Sequence, residues 1–225
     1  MNCLFFLLCK ERRYNTYMLL KEEILVVPTN IVNKTIELND GFTPYKLKKK
    51  ENIYNMWSDS RFYIPKEEAE QSIVVDQLMP FIILKNEFKE FFILSKKDKF
   101  YKDYNIEKTN KNKRSLGTSK HICKSEAGYS DPLFKVALNI VVEDYKVQNI
   151  TNSLRFIGFN KNYLEKNNNH LGYVLILDCI KRDIKKIDEE YYNSSWMSRN
   201  ELIDKYGQFD MWSKYIIDYM VDNEV

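Results

Sequence analysis

Glycine is scarce in this chain: six residues in 225, alongside five prolines. Ordinary domains carry about 7% glycine, so neither a collagen-like repeat nor a Gly/Pro-rich disordered chain fits. The six are scattered as Gly41, Gly117, Gly128, Gly158, Gly172 and Gly207. Loops that cradle phosphates usually need several glycines close together, because bare backbone must approach the ligand. Cysteine is also sparse. Cys3, Cys9, Cys123 and Cys179 form no CxxC pair, which argues against a zinc site and a disulfide framework. Free thiols of this kind point to a cytoplasmic setting. Net charge is only +3, from 35 Lys/Arg and 32 Asp/Glu, which excludes a polycationic protein. No apolar run approaches the ~20 residues of a membrane-spanning helix, so no membrane association is expected.

The N-terminus has one short apolar run, CLFFLLC, from Cys3 to Cys9. No basic residue precedes it and no small-residue cleavage site follows, so it lacks the marks of a secretory signal. Met18 opens a cleaner start, MLLKEEILVVP. The expected organisation is a dispensable extension or an upstream mis-start over 1–17, and one domain over 18–225.

What the chain does contain is enough for a packed core: 44% hydrophobic residues, with 16 tyrosines and 13 phenylalanines. The run EILVV, ended by Pro28, predicts a strand. Arg61 to Gln71 reads as a loop or a short helix after Pro65. QLMPFIIL (77–84) and FKEFFILS (88–95) are two strand-length runs around Lys85-Asn86-Glu87, a β-hairpin pattern. SLGTSKHI (115–122) is strand-like. Asp131-Pro132 opens a helix, with a capping carboxylate and proline at the first helical position. Leu133, Val136, Ala137, Ile140 and Val141 then repeat as a buried helical stripe to about Asp144. LRFIGF (154–159) and LGYVLILDC (171–179) are further strands. Ser198 and Glu201 form a capping box for a helix ending at Gly207, and a last helix starts near Asp210. Trp212 on that helix belongs to the core. The order predicts an α/β sandwich with a mixed sheet.

Two basic stretches remain. Lys46, Lys48, Lys49 and Lys50 form a short run, and 96–114 holds eight Lys/Arg against three acids. Phe100, Tyr101 and Tyr104 interleave with the second, a pattern suited to stacking on single strands. The balanced net charge argues against nucleic acid as a partner, and both stretches read as solvated loops.

These segments together resemble the Nudix superfamily, in particular a group of bacterial Nudix-like proteins described as phosphoesterases. The resemblance covers most of residues 22–217. FYIPKEEAEQ followed by DQLMPFIIL is similar to the group's FxPRxxAE and KQLIPYVVL. SLGTSKHI is similar to SIGIGGHI, and NHLGYVLILDC to VHLGIVHVFDL. SWMSRNEL and FDMWSKY are similar to GFxPLxEL and FETWSQI. Both histidines, His121 and His170, fall on family histidine positions. The resemblance implies an α/β/α sandwich with a central mixed sheet, a Nudix-type helix at about 132–144 and two C-terminal helices.

The family signature is GX5EX7REUXEEXGU. Its glycines let backbone pass close to a pyrophosphate, and its helix presents carboxylates that hold Mg²⁺ or Mn²⁺. Here it is eroded. Ser119 and Lys120 replace two glycines. Glu126 stands six residues after Lys120 and matches the first Glu, although the spacing to the helix exceeds X7. REUXEE falls on LNIVVE (138–143) or on NIVVED (139–144). In the first register Arg becomes Leu138, its neighbouring Glu becomes Asn139 and only Glu143 survives. In the second Arg becomes Asn139, its Glu becomes Ile140, and Glu143 and Asp144 stand for the pair. The following glycine becomes Tyr145 or Lys146. Sequence alone leaves the register open.

The resemblance therefore implies vestigial metal ligands at Glu126, Glu143 and Asp144, and substrate contacts at Lys120, His121 and His170. The histidines also fit as hydrogen-bonded structural residues on strands. The expected function is a catalytically silent Nudix-like domain that binds a nucleotide or nucleoside diphosphate derivative, or a protein partner, as a regulatory module. The alternative is a metal-dependent pyrophosphohydrolase with relocated ligands. Mg²⁺ or Mn²⁺ is expected only in that case, with Glu126, Glu143, Asp144 and Asp131 converging on one point.

Overall fold

Long apolar runs buried on both faces call for a layer on each side, and the central strands behave that way. The computed structural model describes residues 22–45, 56–99, 113–129, 131–147, 154–162, 169–181, 184 and 192–223. The N-terminal extension, the 46–50 lysine run and residues 100–112 of the basic stretch lie outside them.

The elements are β1 (Glu23–Pro28), α1 (Thr29–Thr35), β2 (Gly41–Pro44), β3 (Phe62–Pro65), α2 (Lys66–Gln71), β4 (Val75–Asn86) and β5 (Phe91–Lys96). Two short strands follow, β6 (Arg114–Ser115) and β7 (Thr118–Ser119). Then come α3 (Pro132–Asn139), β8 (Arg155–Lys161), β9 (His170–Cys179), β10 (Tyr192–Met197), α4 (Arg199–Asp204) and α5 (Met211–Asn223). The sheet runs β10-β5-β4-β9-β8-β2, with β1 and β7 pairing to β4 on the side away from β9. It is mixed: β4 and β9 are parallel over ten residue pairs, from Gln77 with His170 to Asn86 with Cys179, and the other pairs are antiparallel.

Period-two alternation sorts the central side chains into two cores. Leu78, Ile82 and Leu84 of β4 and Leu171, Tyr173, Leu175 and Leu177 of β9 face α3, meeting Leu133, Val136, Ala137, Ile140 and Val141. Met79, Phe81 and Ile83, with Val174 and Ile176, face the other way onto Leu202, Trp212, Ile216, Ile217 and Met220. Helices on both faces of one mixed sheet make the α/β/α sandwich that the resemblance implies.

Local signals also hold. Asp131 caps α3, its Oδ1 accepting from the Phe134 N–H at 2.9 Å. Ser198 and Glu201 complete the expected capping box. The hairpin closes with Lys85 opposite Phe91. Gly172 is needed for packing: a Cβ there would lie 2.3 Å from the Trp212 ring. Trp212 is 2% exposed, core as expected.

Several elements were not anticipated. Residues 29–35, not assigned from the sequence, form α1; Phe62–Pro65 forms a strand before the short helix that follows Pro65, one of the two expectations there; and 192–197 adds the edge strand β10. The helix from Pro132 does not stay α-helical: Ile140–Asp144 is wound as a π-helix, with the Tyr145 N–H donating to the Ile140 carbonyl at 3.0 Å. Such single wide turns often occur at functional sites.

Candidate functional site

The site is built where β7 hands the chain from one strand to another. Thr118 and Ser119 pair with Ile82 and Phe81 of β4. Three residues on, the Ile122 carbonyl accepts from the Leu25 N–H of β1 at 2.8 Å, and Cys123 bridges to Ile24. Lys120 and His121 sit in that crossing. Gly117 makes it sterically feasible, since a Cβ there would meet the Ile82 carbonyl oxygen at 2.6 Å.

The π turn brings the far end of the helix to the same place. Tyr145, fully buried, donates its hydroxyl to Thr118 Oγ1 at 2.9 Å and approaches the Ile82 carbonyl at 3.2 Å. Next to it, Asp144 meets Lys120: Nζ donates to Oδ1 at 2.8 Å, with side chains 16% and 6% exposed. Burial pushes the Asp144 carboxyl above its ordinary range, and the Lys120 ammonium pulls against that without cancelling it. The second oxygen, Oδ2, is buried and has no hydrogen-bond partner. Glu143, one residue earlier, is exposed. On adjacent helical positions the two acids diverge, so only Asp144 faces the crossing.

Glu126 has a local use. Its Oε2 accepts from the Cys123 N–H at 2.6 Å, closing a box on the 3₁₀ turn Lys124–Glu126. Burial raises this carboxyl, while the Cys123 N–H and then Lys120 hold it down. Lys120 thus acts electrostatically on both Glu126 and Asp144. Asp131 is spent on capping α3.

The two histidines lie together under the surface. His121 and His170 are 5% and 9% exposed, with ring centroids 5.5 Å apart. His121 Nε2 contacts Gln77 Oε1 at 3.0 Å, and Gln77 is the register partner of His170. Burial drives both rings toward the neutral form: His121 well below its ordinary value, with His170 and Lys66 adding repulsion, and His170 down to about 3. His170 lies on β9 as expected, whereas His121 sits in the crossing after β7 rather than on a strand; neutral, buried and side by side, the two fit a structural role.

Sequence reading missed one buried ion pair. Lys161 of β8 places Nζ 2.8 Å from both carboxylate oxygens of Asp76 of β4, with side chains 3% and 1% exposed. A lysine and an aspartate at the ends of apolar strands are a weak signal, because either reads as the start of a loop.

The divalent ion implied by the resemblance does not fit this donor set. Among the described residues, no three His, Cys, Asp or Glu side chains gather closely enough to hold a metal. Glu126, Glu143, Asp144 and Asp131 do not converge as relocated ligands would require. The one buried acid facing the crossing already bonds an ammonium. Among the described residues, too, no helix is long and apolar enough to cross a membrane.

No family model matches the chain, and no curated protein matches it. Solved structures do. The chain is similar to Tm1382, a proposed Nudix hydrolase, at 20% identity and a TM-score of 0.71, over 89% of this chain and 99% of that one. It also aligns to the MutT protein of Methanosarcina mazei Go1 at 15% identity, over 65% of this chain and 91% of that one. That TM-score, 0.41, is too low to argue from. The Tm1382 likeness shows the fold: this is a Nudix-like α/β/α sandwich.

Proposed function

We propose, from the Nudix-like fold as premise, that this protein is a binding module without hydrolase activity. It takes a nucleoside diphosphate derivative, and acts in the cytoplasm as a regulatory domain that answers to that ligand or to a protein partner. The observation that carries the reading is the Lys120–Asp144 ion pair. It commits the buried carboxylate of the signature helix to a cation of the chain itself.

The second register of the signature, NIVVED over 139–144, is the one the backbone supports. It puts the signature's glycine at Lys146, which has φ +54°, in the left-handed region that glycine favours. It puts the following apolar position at Val147, 4% exposed. Lys120 then stands at the signature's first glycine, Glu126 at its first Glu and Asp144 at its last. The orienting arginine is Asn139 and its neighbouring acid is the buried Ile140. The loss of that arginine and acid, with Glu126, Glu143 and Asp144 not gathered around one point, supports the loss of water activation by a bound metal.

Two measurements on the full chain test this. A phosphate-release screen over nucleoside diphosphate derivatives with Mg²⁺ and with Mn²⁺ should show no turnover. Isothermal titration with the same compounds should show binding. Turnover that disappears in Glu143→Gln would overturn the reading.

A further inference from the structure

We propose that Lys120 is a tethered cation that takes over the role of the divalent ion, so that this site holds a phosphate group without metal. The inference rests on the binding-module reading above and adds how the ligand is recognised. Three observations converge on it. Lys120 occupies a signature glycine position, so its side chain is an addition to a place built for bare backbone. Its ammonium reaches Asp144, the signature's last carboxylate, at 2.8 Å, and acts electrostatically on Glu126, the signature's first. The ammonium therefore bonds the last acid of the box and adds a weaker field at the first, whose own hydrogen bond is to the Cys123 N–H. Finally, the ammonium is not sealed in: the Lys120 side chain is 16% exposed, and an ammonium has three N–H donors, of which Asp144 accepts one.

The physical consequence is a division of labour. A buried carboxylate fixes the ammonium on one side, which removes most of the rotamer freedom that a long lysine loses on binding. The remaining donors can then meet phosphate oxygens by charge-assisted hydrogen bonds. A divalent ion brought to the same carboxylate would have to displace the ammonium.

The probe is inorganic pyrophosphate, titrated calorimetrically into the full chain once in EDTA and once in Mg²⁺. Equal affinity in the two media is expected. Lys120→Met, which keeps length and removes charge, should weaken binding by about tenfold or more, the worth of one charge-assisted bond. Lys120→Arg should retain most of it. Binding that needs Mg²⁺ would overturn this proposal while leaving the binding-module reading intact. Absence of pyrophosphate binding in both media would overturn this proposal, and the binding-module reading falls with it only if the nucleoside diphosphate derivatives also fail to bind. If Lys120→Met does not fold, the wild-type comparison in EDTA and the Lys120→Arg variant decide the matter: loss of binding in EDTA, or in Lys120→Arg, counts against it.

Discussion

Charged and titratable residues buried at one end of the sheet are where single substitutions should speak most clearly. Asp76 and Lys161 are both nearly inaccessible and are paired through two 2.8 Å contacts. Burial raises the Asp76 carboxyl, with Lys161 opposing. Lys161→Met should therefore cost about 3–5 kcal/mol in urea unfolding, because it strands a buried carboxylate. Asp76→Asn added to it should recover a large part of that loss; no recovery would show that the pair is not the source. The histidines set a pH dependence of definite sign. Folded, His170 is held neutral down to about 3, whereas the unfolded chain takes up its proton near the ordinary 6.5. The unfolded state therefore binds more protons as pH falls below 6.5, and stability should decline from about pH 7 down toward about pH 3. His170→Gln should make that decline shallower in thermal melts. An unchanged slope would mean that the ring is not buried as described. The sequence showed both histidines and placed them on strands, but not that they touch, since contact between β9 and the crossing after β7 is a matter of tertiary pairing.

At the scale of elements, what the sequence could show was local. Capping at Asp131 and at Ser198–Glu201, the hairpin around Asn86, and the helical stripe from Leu133 to Val141 all depend on neighbours in the chain, and all appear in the structure. Edge strand β10 depends on a distant partner for its hydrogen bonds and nothing in NSS marks it, whereas SLGTSKHI, strand-like in sequence, supplies β7 and the end of β6 but only two paired residues in each. The π turn was hidden for a similar reason. No helix-breaking residue occurs at 140–144, and the turn is followed by Tyr145, whose hydroxyl meets Thr118 and Ile82 across the core. The contact between β9 and α5 gives a direct test of element packing. Gly172→Ala places a methyl group against the Trp212 ring and should destabilise the protein by about 1–3 kcal/mol, the usual range for an overfilled core. In a Trp212→Leu background the same substitution should cost much less, as read by chemical denaturation. Equal costs in both backgrounds would mean that the ring is not what crowds Gly172.

For the molecule as a whole, glycine poverty and the fold make one account. Gly117 and Gly172 remain where strand and helix must approach closely. Glycine is missing at Ser119 and Lys120 and after the helix acids, at Tyr145 or Lys146, where the resemblance places backbone meant for pyrophosphate chemistry. That loss was legible in the sequence. Its structural consequence was not, because only folding shows that the lysine in place of one glycine bonds the last carboxylate of the box. Residues 1–17 lie outside the described fold, and deleting them should leave the melting temperature unchanged; a large drop would assign them a place in the core. The central claim is that a Nudix-like sandwich persists here without the metal-dependent hydrolysis that its signature would support. The most direct test is phosphate release from nucleoside diphosphate derivatives by the full chain in Mg²⁺ and in Mn²⁺. The account predicts release indistinguishable from a protein-free control in both metals. Metal-dependent release that is abolished by Glu143→Gln or Asp144→Asn would contradict it.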